Sequence, residues 1–257
     1  MLPFVSLSVL VLAVSCGALP RRPDPDQLMY NEGMLDGDIA GGYIRTTING
    51  KTAILPDDIY GLWPDAIIYY ELHSSAQSIR NLLNTAIVEY HQHTCIRFVE
   101  RNGDPSITNY VNIRGDQSGC WSYVGMYKFG SQDLSIQIPG CDYKGLLLHE
   151  LMHAAGFWHE HTRFDRDDYV VILWDNILPG QEHNFETKTL AESQEFGVPY
   201  DFESIMHYEL DAFSSNGENT LEPYGEWAGT DPGHVWEQNF FARSDIEELN
   251  ALYCSKK

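Results

Sequence analysis

Positive charge is scarce in this chain: its 257 residues carry 16 Lys and Arg against 37 Asp and Glu, a formal net charge of −21. Such a surface repels phosphates, which argues against a nucleic-acid partner. The acidity is spread along the chain rather than gathered in one tail, so its plain meaning is solubility. Long hydrophobic runs are equally rare. Residues 2–14 form the one sustained apolar stretch, well short of the ~20 residues that span a bilayer, so no membrane span is expected. No two cysteines have the C-x-x-C spacing of a zinc knuckle. There is no N-x-S/T sequon, so N-glycosylation is not expected. Repeats and low-complexity blocks are also missing.

The short apolar run is followed by Ser15, Cys16, Gly17 and Ala18, the layout of a secretory signal. Residues 1–18 are therefore expected to be a signal peptide, and the protein to be secreted and extracellular. Of the five cysteines, Cys16 falls at the end of that signal. Cys95, Cys120, Cys141 and Cys254 make an even set in an exported chain, which favours two disulfides. Four cysteines allow three pairings, and composition does not choose among them. Residues 19–51, which include Arg21-Arg22-Pro23-Asp24-Pro25-Asp26, are rich in Gly, Asp and Pro and lack a sustained apolar period. They are expected to be a removable pro-segment. The catalytic domain is expected over residues 52–257.

Within that domain, residues 62–72 hold the run Ala66-Ile67-Ile68-Tyr69-Tyr70, which reads as a buried strand. Apolar residues at Ile79, Leu82, Leu83, Ala86, Ile87 and Tyr90 make one face of a helix over residues 75–93, capped by Ser74 or Ser75. Residues 96–101, 110–113 and 134–138 are short strand candidates. A helix over residues 143–155 should stop at Gly156. Beyond it, regular structure thins out apart from residues 170–174 and a last helix over residues 243–253, opened by Ser244 with Glu247 as a capping box. The fold class is α+β, with two helices in a first half and a loop-rich second half flanking a cleft.

The decisive segment is Leu148-His149-Glu150-Leu151-Met152-His153-Ala154-Ala155-Gly156-Phe157-Trp158-His159. Residues four apart share one helix face, so His149 and His153 can aim at one ion. Glu150 is placed to reach a metal-bound water rather than the metal. Gly156 can take the left-handed conformation that ends a helix, letting the chain bring His159 back as a third ligand. Three protein ligands leave a position open, the mark of a catalytic zinc site. H-E-x-x-H alone arises by chance in roughly 1 in 100 chains of this length, and the full spacing in roughly 1 in 100,000. In such a centre zinc lowers the pKa of water toward ~7, and Glu150 takes the proton during attack on a peptide carbonyl. Retention of Glu150 and all three histidines counts against the alternative, a catalytically inactive secreted homologue that acts as a binding protein.

The long motif is that of metzincins. The run His159-Glu160-His161-Thr162-Arg163-Phe164-Asp165-Arg166-Asp167 and the later Ser204-Ile205-Met206-His207-Tyr208 closely resemble the astacin family of zinc endopeptidases. The likeness extends through Thr94-Cys95-Ile96-Arg97-Phe98, Gly119-Cys120-Trp121-Ser122-Tyr123-Val124-Gly125 and Gly140-Cys141. It implies a metzincin-like fold with a twisted mixed sheet, one zinc ion per chain and protein or peptide substrates. Met206 would form the turn beneath the zinc, and Tyr208 would be an extra ligand that swings to the oxyanion. Glu160 would anchor the freed amino terminus of the mature enzyme. The implied disulfides are Cys95–Cys254 and Cys120–Cys141. Thr52-Ala53-Ile54-Leu55 resembles a mature start, which implies an activating cut after Lys51 by a trypsin-like protease. Leu35-Asp36-Gly37-Asp38-Ile39 resembles the family's inhibitory motif, with Leu35 for the usual aromatic and Asp36 for the usual Glu, and Asp38 would ligate zinc in the zymogen only. With three residues after Cys254, the chain resembles the minimal type without further modules, and a monomer is expected.

Other residues read as structural. His91 and His93 are two apart on a helix and do not face each other, so a solvated helix end is expected. A fourth histidine ligand would close the site, so His161 is read as structural. Arg163, Asp165, Arg166 and Asp167 are expected to brace the site by ion pairs, and Trp121 and Tyr123 to pack or to line the cleft.

Overall fold

Alternation of Ile68, Tyr70 and Leu72 with half-buried neighbours makes residues Ile67–Leu72 an inner strand of a five-stranded sheet. In the computed structural model, residues 28–31, 33–41, 60–189, 196–235 and 237–254 are described in full, and 46–48 and 51–53 by backbone only. The expected signal, residues 1–18, lies outside these. The strands run in the order Arg97–Glu100, Ile67–Leu72, Val111–Arg114, Gln132–Ile136, Cys120–Trp121. The first three pairings are parallel and the last is antiparallel. A parallel neighbour requires a crossover, and helix α1, Arg80–His93, supplies it between Ile67–Leu72 and Arg97–Glu100. The continuous burial expected of Ile67–Leu72 is thus an alternation, because the helices cover one face of the sheet more fully than the other.

The first helix differs from expectation at its start. Residues Ser74–Ile79 form a 3₁₀ turn, and the cap is His73, whose Nδ1 accepts the Ser75 N–H at 3.3 Å. Ser75 Oγ meanwhile accepts the Gly115 N–H at 3.0 Å, so this turn is tied to the sheet instead of continuing as α-helix. Helix α2, Lys144–Ala155, is buried from Gly145 to Ala155. It crosses α1 where the Tyr90 hydroxyl donates to the Leu148 carbonyl at 2.8 Å. Helix α3, Arg243–Tyr253, is capped differently from the expected box. Ser244 lies inside its first turn and donates to Asp201, while the Asp245 carboxylate accepts the Ala242 N–H at 2.8 Å.

Between α2 and α3, the described residues hold two three-residue strands, Val170–Ile172 and Leu221–Pro223, paired antiparallel, with short 3₁₀ turns. They enclose a second apolar cluster around Phe185, Tyr200, Tyr208, Phe213 and Leu221, apart from the larger core beneath the sheet. Two disulfides close the domain. Cys95–Cys254 ties the start of the sheet to the end of α3 across 159 residues, and Cys120–Cys141 spans 21.

Residues 33–41, part of the expected pro-segment and called the leader below, pack on the sheet's outer strand. Ala40 N–H donates to the Ser122 carbonyl at 2.8 Å, and Ser122 N–H donates to the Asp38 carbonyl at 2.9 Å. Residues 38–40 thereby extend the edge next to Cys120–Trp121, the mode by which a peptide adds to an exposed strand. Lys51 and Thr52 lie in a strand, Lys51–Ala53, paired antiparallel with Thr46–Ile48.

Candidate metal centre

Helical periodicity sets His149 above His153, their ring centroids 4.6 Å apart. The helix ends at Gly156, whose φ of 117° is open to a residue without Cβ. Its last carbonyls are met from outside: Trp63 Nε1 donates to Ala154 O at 2.7 Å and the Tyr253 hydroxyl to Ala155 O at 2.6 Å. The chain then turns back and places His159 Nε2 3.3 Å from His149 Nε2.

The tautomers follow from the second nitrogens. His149 Nδ1 donates to the Ile205 carbonyl at 2.7 Å, and His153 Nδ1 donates to the Phe157 carbonyl at 2.8 Å. Both Nε2 atoms therefore present bare lone pairs to a common point. Asp38 of the leader joins them: its Oδ2 lies 3.1 Å from His149 Nε2 and 3.2 Å from His159 Nε2, and its Oδ1 lies 3.5 Å from His153 Nε2. All four residues are buried, and their ligand atoms lie within 4.8 Å of one another. Lone pairs and a carboxylate crowded together out of water repel unless a cation lies between them. Two ligands each about 2.0–2.1 Å from a tetrahedral zinc sit about 3.4 Å apart, which is the spacing found, so the residues fit zinc. His153 Nε2 and Asp38 Oδ1 have no hydrogen-bond partner, as such a role requires.

Burial opposes ionisation of Asp38, but its interaction with the neighbouring His159, His153 and His149 outweighs burial and holds its carboxyl well below the usual range. Glu150 moves the other way, pushed well above the usual range by burial and by the Asp38 charge. Both Glu150 oxygens are buried without a hydrogen-bond partner. Gly37 permits the approach of the leader: its φ is 78°, and a Cβ there would lie 2.6 Å from the Phe213 ring and 2.7 Å from the Met29 carbonyl.

Tyr208 is placed differently from the histidines. Its hydroxyl donates to the backbone carbonyl of Asp36, and its ring centroid lies 4.7 Å from that of His159. Its ring stacks on His161 at 3.7 Å. His161 is buried, and its Nε2 lies 3.0 Å from the Asn184 carbonyl. Met206 is buried, and its carbonyl accepts the Glu160 N–H at 2.9 Å. Glu160 Oε1 accepts from Arg163 at 3.1 Å and from the Asp201 N–H at 2.9 Å; burial pushes its carboxyl up to about 7 against the pull of Arg163. Glu160 and Arg163 also border a cavity of about 220 Å³ together with Glu248, Phe196 and Leu252. Arg163 pairs with Asp165 at 3.0 Å, and Arg166 with Asp167. Trp121 is buried, its Nε1 donating to the Ser118 carbonyl at 3.0 Å, and Tyr123 is half-buried beside Tyr60. His91 corrects one expectation: rather than a solvated helix end, its Nε2 accepts the Phe98 N–H at 3.0 Å and ties α1 to the sheet. His93, by contrast, is exposed beside Glu89.

Two further groups support the site without a sequence signal of their own. Lys188 forms a buried ion pair with Asp36 at 2.9 Å. Asp245 accepts from Ser204 Oγ at 2.7 Å and from the Ile205 N–H at 3.2 Å, and so fixes the segment whose Ile205 carbonyl orients His149. Neither residue lies in a motif that points to such a role.

Three buried histidines and a carboxylate disposed to hold one cation fit the metal centre of a zinc metallopeptidase. A profile of the astacin family of peptidases matches residues 57–254, and the chain belongs to that family. It is 38% identical to mouse meprin A subunit beta over 232 residues, 90% of this chain and 31% of meprin. It is also 38% identical to the zinc metalloproteinase nas-15 of Caenorhabditis elegans over 239 residues, 88% of this chain and 40% of that protein. The chain thus spans well under half of either relative. Among solved structures it resembles high choriolytic enzyme 1, a hatching-enzyme zinc protease of the medaka Oryzias latipes, with a TM-score of 0.67 and 34% identity, covering 79% of this chain and 98% of that one. Among the described residues no helix is long and apolar enough to cross a membrane.

Proposed function

We propose that the chain is a secreted zinc endopeptidase, made as a latent precursor and activated by a trypsin-like cut after Lys51. The observation that carries this reading is the Asp38 carboxylate, buried among His149, His153 and His159 with Glu150 alongside. It fills the position that a catalytic site keeps for water and substrate.

Zinc, when bound by the three histidines, supplies a Lewis acid that acidifies water and polarises a peptide carbonyl. Glu150, its oxygens unpartnered, takes the proton of the attacking water and passes it to the leaving amine. Tyr208 gives up the Asp36 carbonyl when the leader departs, and its hydroxyl becomes free to donate to the oxygen on which negative charge develops. The Ile205 and Phe157 carbonyls hold His149 and His153 in the tautomer that leaves Nε2 free. Secretion is supported by the apolar run at residues 2–14 and by the two disulfides.

Casein hydrolysis by the purified precursor, before and after trypsin, tests the reading, with 1,10-phenanthroline and Glu150→Gln as controls. Activity is expected only after the cut and only with metal present, and Glu150→Gln is expected to lower it by about 10²–10⁴-fold. A correctly cut, zinc-loaded protein that hydrolyses neither casein nor a mixed peptide library would refute it.

A further inference from the structure

The side chain and the backbone of Tyr208 are held by different parts of the chain. The hydroxyl donates to the Asp36 carbonyl and the ring meets the edge of Tyr30, centroids 6.4 Å apart, so much of the side chain's grip comes from the expected pro-segment. The backbone is gripped from within the mature domain. Residues 207–209 belong to no strand, and side chains take over the work of a ladder. His207 Nδ1 lies 2.6 Å from the carbonyl oxygen of Tyr208, the next residue, and His207 Nε2 lies 2.6 Å from the Tyr200 hydroxyl. A carbonyl can only accept, so Nδ1 carries the proton, Nε2 is bare, and Tyr200 donates to it. Tyr200 is itself pinned flat against Tyr169, ring centroids 4.5 Å apart at 9°. Gly233 presses on the same peptide unit: its φ is 83°, and a Cβ there would lie 2.2 Å from Glu209 N and 2.4 Å from the Tyr208 carbonyl carbon. Tyr200, His207 and Tyr208 are all buried. A buried imidazole with both nitrogens satisfied is fixed in rotamer and tautomer, because any other arrangement strands a polar group.

We infer that His207 and Tyr200 are positioning residues for Tyr208: they pin its carbonyl, so that departure of the pro-segment frees the hydroxyl and leaves the main chain in place. This rests on the reading that Tyr208 donates to the developing oxyanion. The hydroxyl stands at the far end of a long side chain, so a small tilt of the peptide is magnified there. A misplacement of about 1 Å costs about 10²-fold in rate. With the base pinned, the swing from the Asp36 carbonyl to the substrate is confined to the torsions of one side chain. Neither His207 nor Tyr200 touches substrate, and both act through Tyr208.

A double-mutant cycle on the cut, zinc-loaded enzyme tests it. Tyr208→Phe is expected to lower kcat about 10²–10³-fold, the loss of one oxyanion donor. His207→Leu is expected to lower kcat about 10–100-fold with KM held within about twofold. His207→Asn, whose side-chain amide can replace Nδ1–H, is expected to recover most of that loss. In a Tyr208→Phe background, His207→Leu is expected to change kcat by less than about twofold, because the hydroxyl it aims is gone. Equal losses in both backgrounds overturn the positioning role and leave the oxyanion reading standing. An unchanged kcat in Tyr208→Phe alone sinks the oxyanion reading and the positioning role with it. If His207→Leu does not fold, Tyr200→Phe, which removes a single hydroxyl, runs the same cycle with an expected loss of about 3–10-fold. The second measurement needs no catalysis: ¹H–¹⁵N NMR of the histidine-labelled precursor. It is expected to show a neutral His207 with its proton on Nδ1, and a proton on Nε2 overturns the pin whatever the kinetics.

Discussion

The two halves of the domain are held together by different physics. Residues 60–155 rest on repeating backbone ladders and a continuous apolar core in which Ile68, Ile113, Leu134, Leu147 and Leu148 are fully buried. Residues 156–254 have few ladders, and side chains do the work of backbone pairing. Arg166 donates to the His161 and Phe185 carbonyls at 3.0 and 2.8 Å. The Tyr200 hydroxyl lies 2.6 Å from His207 Nε2, and burial lowers that imidazole to about 4, so His207 stays neutral and accepts. Two of the metal ligands stand on a helix of the first half, but the Ile205 and Phe157 carbonyls that orient them belong to the second. The regular half thus supplies rigidity, and the irregular half supplies aim.

The largest expected effect comes from separating the halves. Replacing Cys95 and Cys254 with Ser removes a link across 159 residues and is expected to cost about 5 kcal/mol, whereas replacing Cys120 and Cys141, 21 apart within the first half, costs about 3 kcal/mol. Urea unfolding of both variants under non-reducing conditions measures the gap, and equal losses would dissolve the contrast. A smaller effect compares a polar with an apolar anchor. Asp245→Ala strands the Ser204 hydroxyl and the Ile205 and Ala242 amides, costing about 3 kcal/mol, similar to Ile113→Ala in the sheet. Only Asp245→Ala is expected to weaken zinc binding as well, by about 10–100-fold, because it loosens the carbonyl that orients His149. Zinc titration by competition with a chelator separates the two.

Per unit of pH, the smallest effect is one of titration. Burial pushes the Asp245 carboxyl up to about 7 despite its three donors. The folded protein therefore holds a proton there that the unfolded chain has lost, and stability falls as pH rises between about 4 and 7. Asp245→Asn has no such proton and is expected to flatten the unfolding free energy across that window, by up to about 1.4 kcal/mol per pH unit, measured by urea unfolding. A wild-type profile no steeper than the variant's would remove the assignment.

Legibility in the sequence followed the same division. Apolar period made α1 and α2 readable to within a few residues, since a helix face repeats locally, and His149, His153 and His159 were readable because their spacing is itself the geometry. Local rules failed where a partner came from afar. Ser244 looked like a cap but turns to Asp201, and Ser75 looked like a cap but serves Gly115. His91 looked solvated until the strand at Phe98 supplied its donor.

By itself, then, the sequence determined the metal chemistry, because ligand number, ligand type and the helix-ending glycine lie within eleven consecutive residues, 149–159. Composition left three disulfide pairings open, and only the folded chain brings Cys95 beside Cys254. Tertiary structure alone set Lys188 against Asp36, 152 residues away, and hung the Tyr208 hydroxyl on the leader's carbonyl. Contacts of that kind are decided by which side chains must leave water together, and no local pattern records it.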